Sequence, residues 1–261
     1  MIKINGYQIK QESFGDGTLK CEVPPHTVVA GTGYVAHVLW CYDNDSELFT
    51  LSCLIDYIKS KYPRMPVELT LPYIPHARQD REVSQRFFTL KTFANIINSM
   101  DFDYVHVYDP HSDVASSLIN RVQVHTEAFA ISYNDTAVAV MYPDAGAAKK
   151  YCSVDGVCCP IIGNKHRNNE GRIDSYELLN FIEGTKKVFI RDDICSYGGT
   201  FVAAAKELKK RGVDEIVLIV THCENNILKG EVFDYIDKVY TTDSIFTENH
   251  PKVFIAKSFR Q

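Results

Sequence analysis

Residues 188–201 read VFIRDDICSYGGTF: an apolar strand, two adjacent acids, then a Gly-Gly-Thr turn that opens a helix. In an open parallel sheet, ligands sit beyond the carboxyl ends of the strands, where loops and helix N-termini converge. Backbone N–H groups in such a turn can form an anion nest, and Asp192 and Asp193 can accept hydrogen bonds from vicinal ribose hydroxyls. The plainer alternative is a tight turn into a helix, with acids placed favourably near its dipole.

Working outward, short runs rich in β-branched and aromatic residues alternate with helix-period segments, the pattern of parallel strands joined by crossover helices. Strands are expected at HTVVA, YVAHVLW, VELTLP, YVHVY, VQVHT, AVAVMYP, VCCPII, KKVFI, EIVLIVT and KVYTT, with helices around 46–61, 89–99, 145–153 and 199–211. The fold class is α/β. YVHVYDPHSD and AVAVMYPDAGAAKK also run from apolar strand to acid to a small-residue helix start, so chemistry is expected at three loops. Residues 127–136 (EAFAISYNDT) fit a crossover between two similar α/β units.

With 28 Lys and Arg against 33 Asp and Glu, the net charge of −5 gives no electrostatic case for nucleic-acid affinity; a polyanionic substrate needs a local cationic pocket. Eight cysteines contain no CxxC pair and follow no signal peptide, which argues against a disulfide framework or zinc site and for reduced, mostly buried thiols. No apolar run approaches the roughly 20 residues needed to span a bilayer, so the expectation is a soluble, unprocessed cytoplasmic protein (host cytoplasm if phage-encoded).

The 188–201 segment is similar to the signature loop of the phosphoribosyltransferase fold, in which the acid pair holds ribose hydroxyls and the turn holds the 5-phosphate. Residues 71–97, LPYIPHARQDREVSQRFFTLKTFANII, resemble the ATP-binding stretch of the ribose-phosphate diphosphokinases, or phosphoribosyl pyrophosphate synthetases. There Arg78 and Gln79 offer a guanidinium fork and an amide to triphosphate or base, with Asp80 beside them; otherwise this is a charged surface loop. VYDPHSD resembles the family's Asp-x-His segment, implying His111 as a ligand to magnesium on ATP with Asp109 alongside, although imidazole is unusual for Mg²⁺. YPDAGAAKKY is similar to the family's Asp-Ala-Gly-Gly-Ala-Lys stretch, placing Asp144 at the ribose or second metal and Lys149 near phosphate; a capped helix start is equally served by that Asp. IIGNKHRNNEGRID resembles the flexible catalytic loop, whose Lys-x-Arg pair is here Lys165 and Arg167. SFGDGTLK is similar to the adenine hairpin, with Phe14 stacking on the base and Asp16 accepting from its amino group.

The resemblance implies two phosphoribosyltransferase-like domains with parallel sheets flanked by helices: 1–128, the ATP-binding half, and 129–261, the ribose-phosphate half, with the last residues returning to the first domain. It implies Mg²⁺, and transfer of the β,γ-diphosphate of ATP to an anomeric hydroxyl in a homo-oligomer whose ATP site lies near a subunit interface, with no nucleic-acid or membrane partner. The chain departs from the family in Thr18 for Glu, in lacking the Val-Arg-Gly element, in a missing first strand–helix unit, and in ending near KVFIAKSFRQ. The substrate loop is Ser196, Tyr197, Gly198, Gly199, Thr200 in place of Asp-Thr-Gly/Cys-Gly-Thr. Tyr197 crowds a compact phosphate and can stack on a base, which leaves two acceptors open: ribose 5-phosphate, or ADP-ribose, whose product is ADP-ribose pyrophosphate. Rival functions are a phosphoribosyltransferase and a noncatalytic regulatory homologue of the synthetase.

Overall fold

The computed structural model describes residues 1–24, 27, 34–126, 137–167 and 173–261, with backbone alone at 166–167 and 173–174. The expected crossover at 127–136 and most of HTVVA (26–30) lie outside the described residues. Two compact units divide the chain: residues 1–125 with Arg260, and residues 126–259 with Gln261. Arg260 joins the first unit through its guanidinium, 2.8 Å from Asp43 Oδ1, and its carbonyl, which accepts from Lys3 Nζ at 2.7 Å.

The first unit runs β1 (Ile2–Ile4), β2 (Tyr7–Gln8), β3 (Lys10–Ser13), β4 (Leu19–Glu22), β5 (Ala36–Trp40), α1 (Glu47–Lys61), β6 (Val67–Leu71), α2 (Thr89–Ser99), β7 (Tyr104–Tyr108), α3 (Asp113–Leu118) and β8 (Val122–His125). Six strands form a sheet in the order β2-β1-β5-β6-β7-β8, parallel from β5 to β8 and antiparallel where β1 meets β5 and β2. Strands β5 to β7 alternate in burial, so one face, with Val38, Trp40, Leu69, Leu71, Val105 and Val107, carries the core. That face packs with Leu51, Leu54, Ile55 and Ile58 of α1 and Leu90, Phe93, Ala94 and Ile97 of α2, which recur at helical spacing. The opposite face carries His37, Glu68 and His106, with Glu68 Oε2 3.3 Å from His37 Nδ1 and 3.6 Å from His106 Nε2.

The second unit runs β9 (Val138–Tyr142), α4 (Ala145–Asp155), β10 (Ile161–Arg167), β11 (Ile173–Leu179), β12 (Lys187–Cys195), α5 (Gly199–Lys210), β13 (Glu215–Cys223), a 3₁₀ turn (Asn225–Lys229), α6 (Val232–Tyr235), β14 (Lys238–Thr242) and β15 (Val253–Lys257). Its sheet order is β11-β10-β9-β12-β13-β14-β15, parallel except for the antiparallel β10–β11 pair. Here both faces are covered. Met141, Val188 and Ile190 share a core with Phe201, Ala205 and Leu208 of α5, while Val140 and Tyr142 pack with Ala147, Ala148 and Tyr151 of α4. Burial on both faces is why EIVLIVT reads as a continuous apolar run and not an alternating one.

Three expectations need correction. The stretch from Gly163, expected as a loop, is strand on both sides, since the β10–β11 register runs from Ile162↔Leu179 to Arg167↔Ile173. VCCPII contributes only its last two residues to a strand, because β10 starts at Ile161. The thiols are free but not mostly buried: Cys41, Cys195 and Cys223 are enclosed, Cys152 is half-buried, and Cys21, Cys53, Cys158 and Cys159 are exposed. Among the described residues no helix is long and apolar enough to cross a membrane.

The β10–β11 hairpin joins the sheet through the β9–β10 pairing and is braced there by a buried bond, Tyr176 Oη donating to the Pro143 carbonyl at 2.9 Å. A Cβ at Gly163 would lie 2.0 Å from that hydroxyl and 2.6 Å from that carbonyl oxygen. Gly163→Ala is therefore expected to break the bond and lower stability by about 1–3 kcal/mol in denaturant titration. Tyr176→Phe, which removes only the bond, falls at the low end of that range; a parent-like Gly163→Ala would refute the brace.

Candidate active site

The second unit assembles a cluster at the carboxyl ends of β9 and β12. Past Tyr142 the chain turns at Pro143 into Asp144, the N-cap of α4, whose Oδ1 accepts from the Ala147 N–H at 3.0 Å. Its Oδ2 meets Lys165 Nζ of β10 at 2.8 Å, so one carboxylate both caps the helix and pairs with a cation. Burial pushes the Asp144 carboxyl up, but the Lys165 and Ala147 hydrogen bonds outweigh it and hold the group below the usual carboxylate range.

The acid pair does not act as one group. Both acids lie inside β12, and alternation along a strand sends neighbouring side chains to opposite faces. Asp193 is buried on the α4 side, with Oδ2 3.7 Å from Lys150 Nζ. Asp192 lies on the side of Lys165 and Asp144; burial first, and the Asp193 carboxylate second, push its carboxyl up to about 8. Lys149, the expected phosphate lysine, is exposed, and it is Lys150 that reaches the pair.

Beyond Cys195 the loop turns through Ser196, Tyr197 and Gly198 into α5. Gly198 is buried in left-handed backbone (φ 78°) as the N-cap of α5 and supplies no side-chain cap to that helix. Ser196 Oγ donates to Glu224 Oε2 at 2.5 Å, and Asn226 Nδ2 donates to the same oxygen at 3.0 Å. Glu224 N–H in turn donates to the Cys195 carbonyl at 2.8 Å, tying the loop to the end of β13. Tyr197 is 56% exposed, Gly199 is exposed and Thr200 half-buried. Glu224 was not anticipated; the one trace of it in sequence is its place just past an apolar strand.

In the first unit, Arg78 and Gln79 are exposed and Asp80 half-buried in the segment between β6 and α2. Gln79 Oε1 accepts from Thr89 Oγ1 at 2.7 Å, and Asp80 Oδ1 lies 3.1 Å from Arg81 Nε. After β7, Asp109 is fully enclosed in left-handed backbone (φ 47°), while His111 and Asp113 are exposed. SFGDGTLK is a hairpin between β3 and β4, with Phe14 56% exposed at its tip. Thr18 braces Asp16, donating from Oγ1 at 2.7 Å and from N–H at 3.0 Å, and these bonds lower the Asp16 carboxyl pKa. The Arg167 side chain lies outside the described residues, although its backbone ends β10.

No family model matches the sequence. The chain is 26% identical over 269 aligned positions to a ribose-phosphate pyrophosphokinase of Ureaplasma parvum, covering 96% of this chain and 79% of that one. It is 26% identical over 250 positions to that of Aquifex aeolicus (89% and 78% covered) and 28% over 223 to that of a Marinomonas species (78% and 69%). The crystal structure of phosphoribosylpyrophosphate synthetase from Mycobacterium smegmatis superimposes with a TM-score of 0.75 at 20% identity, covering 96% of this chain and 86% of that one, which shows a shared fold. The chain is similar to ribose-phosphate pyrophosphokinases over most of its length and shares the α/β fold of a phosphoribosylpyrophosphate synthetase.

Proposed function

We propose that this protein transfers the β,γ-diphosphate of ATP to the anomeric hydroxyl of ribose 5-phosphate and releases AMP. The observation that carries the reading is the convergence of Asp144, Lys165 and Asp192 at the carboxyl ends of parallel strands, in a chain similar to the ribose-phosphate pyrophosphokinases. The anomeric oxygen attacks the β-phosphorus in line. The bond from that phosphorus to the α,β-bridging oxygen breaks, AMP leaves with the electron pair, and the hydroxyl proton passes to solvent.

Asp192 orients the ribose hydroxyls, the turn at Gly198 to Thr200 receives the 5-phosphate, and Lys165 with Arg167 balances charge as it develops on the transferred group. Arg78, Gln79, Phe14 and Asp16 hold ATP in a cytoplasmic homo-oligomer. Among the described residues no three metal-binding side chains cluster. Mg²⁺ keeps water and substrate phosphates as ligands and needs only one or two carboxylates. Asp144, ionised at neutral pH, fits such a role beside the ribose, and exposed His111 fits a ligand to the magnesium carried by ATP; bound Mg²⁺ would neutralise phosphate charge.

Incubation with Mg²⁺, ATP and either ribose 5-phosphate or ADP-ribose, followed by mass spectrometry, tests the reading. AMP together with the ribose 5-phosphate product supports it. AMP with ADP-ribose alone moves the acceptor, and no AMP with either leaves a transferase of another kind or a regulatory homologue.

The raised Asp192 carboxyl also makes a stability prediction. From about pH 4 to about 8 the folded chain holds a proton that the unfolded chain releases, so this group's contribution falls as pH rises through that window. Asp192→Asn is expected to be more stable than the parent at pH 8, on the order of 2 kcal/mol after allowance for partial solvent access, or roughly 4–8 °C in Tm, and to bind ribose 5-phosphate more weakly. A Tm gap independent of pH would contradict the assignment.

A further inference from the structure

Beneath this site lies a charge pair that the proposed chemistry does not use. The side chains of Arg191 and Asp155 are both 0% exposed, with Arg191 Nε 3.2 Å from Asp155 Oδ2. Tyr142 Oη donates to the same carboxylate oxygen at 3.1 Å. The guanidinium lies 4.3 Å from the centroid of the Tyr151 ring, which stacks on Tyr142 with 17° between planes. On the same ring sits Lys150, 5.1 Å from the centroid, whose Nζ reaches Asp193.

Stability is a poor reason for this arrangement. Desolvating two charges is expensive, and a well-packed apolar pair of similar volume is often as stable or more so. Position is a better reason, because every member sits on an element that presents a site residue. Tyr142 ends β9 two residues before Asp144, Arg191 immediately precedes Asp192 in β12, and Tyr151 and Asp155 belong to α4, whose N-cap is Asp144.

We propose that Arg191, Asp155 and Tyr142 form a positioning device, in which a buried ion pair locks the ends of β9 and β12 to α4 and so fixes Asp144 relative to Asp192. The inference rests on the reading of that site as the ribose-phosphate site. Its logic is that one buried carboxylate oxygen takes both the Arg191 charge from β12 and the Tyr142 hydroxyl from β9, so that the two strand ends and α4 move together.

The test replaces the pair as a whole, Arg191→Met with Asp155→Leu, so that no unpaired charge is left behind. The double variant is expected to melt within a few degrees of the parent, to turn over about 100-fold more slowly with ATP and ribose 5-phosphate, and to exchange the Ala147 amide, which donates to Asp144, at least tenfold faster. Arg191→Lys, which keeps the charge but loses the planar guanidinium against the Tyr151 ring, falls between. Amide exchange needs no substrate, so it tests the device even where the parent releases no AMP, an outcome that would refute only the proposed reaction. Parent-like Ala147 exchange in a folded double variant overturns the proposal whatever its turnover; should the double variant fail to fold, parent-like exchange in Arg191→Lys does the same.

Discussion

Lys165→Met is expected to lower turnover of ATP with ribose 5-phosphate by about 10²- to 10³-fold while leaving KM for ATP within about threefold. A cation aimed at charge that develops in the transition state acts on kcat more than on ground-state binding, and loss of one such group has an effect of this size. Methionine keeps the length of the chain and removes the charge. The fold should tolerate the change, because the Lys165 and Asp144 side chains are 28% and 38% exposed and a pair so solvated contributes at most about 1 kcal/mol. A second consequence separates a local from a global cause. Lys165 is the strongest of the hydrogen-bonding influences holding the Asp144 carboxyl down against its burial, so in the variant that carboxyl titrates at higher pH. The acidic limb of the rate profile should move upward, and Lys165→Arg should restore much of both effects. Unchanged kcat in Lys165→Met would remove the residue from the proposed mechanism.

Much of this architecture was legible because burial writes its period into the sequence. Helix α2 repeats Leu90, Phe93, Ala94 and Ile97 at helical spacing, and β13 is apolar without a break from Ile216 to Val220 because both of its faces are buried. The β10–β11 hairpin was not legible. Asn164, Lys165, His166 and Arg167 have the composition of a loop, and only cross-strand pairing, supported by the Tyr176 to Pro143 bond, makes them strand. The adjacent acids were found, yet their sequence proximity suggested a common target that the pleat divides. Helical period separates the neighbouring lysines in the same way: Lys150, three residues after buried Ala147, turns toward β12, while Lys149 faces solvent. Arg191 shows the limit most clearly. A charged residue one position before the acids reads as part of a polar site, and only the tertiary structure places it in the interior against Asp155.

The largest loss of stability, with a loss of activity beside it, is expected from Gly198→Ala, and the two penalties behind it can be separated. The first is conformational: at φ 78° an alanine carries a left-handed strain of about 1–2 kcal/mol that glycine avoids. The second is steric, since a Cβ at this position would lie 2.1 Å from Val232 Cγ2, a contact that forces α6 or the loop to shift, at about 1–3 kcal/mol. Together they predict a loss of about 2–5 kcal/mol. On the proposed assignment of this turn to the 5-phosphate, turnover should fall more than 100-fold, because a shifted turn would no longer aim its N–H groups at that group. Adding Val232→Ala relieves the contact but not the strain. It should therefore recover part of the steric share, offset by the cavity it leaves in the core, while turnover stays low. Gly199→Ala supplies the control: an added Cβ there meets nothing within 4 Å and the backbone is helical, so its melting temperature should stay within about 2 °C of the parent. If Gly198→Ala behaved as Gly199→Ala does, the left-handed turn would not be what shapes this loop, and the phosphate nest would have to be sought elsewhere on α5.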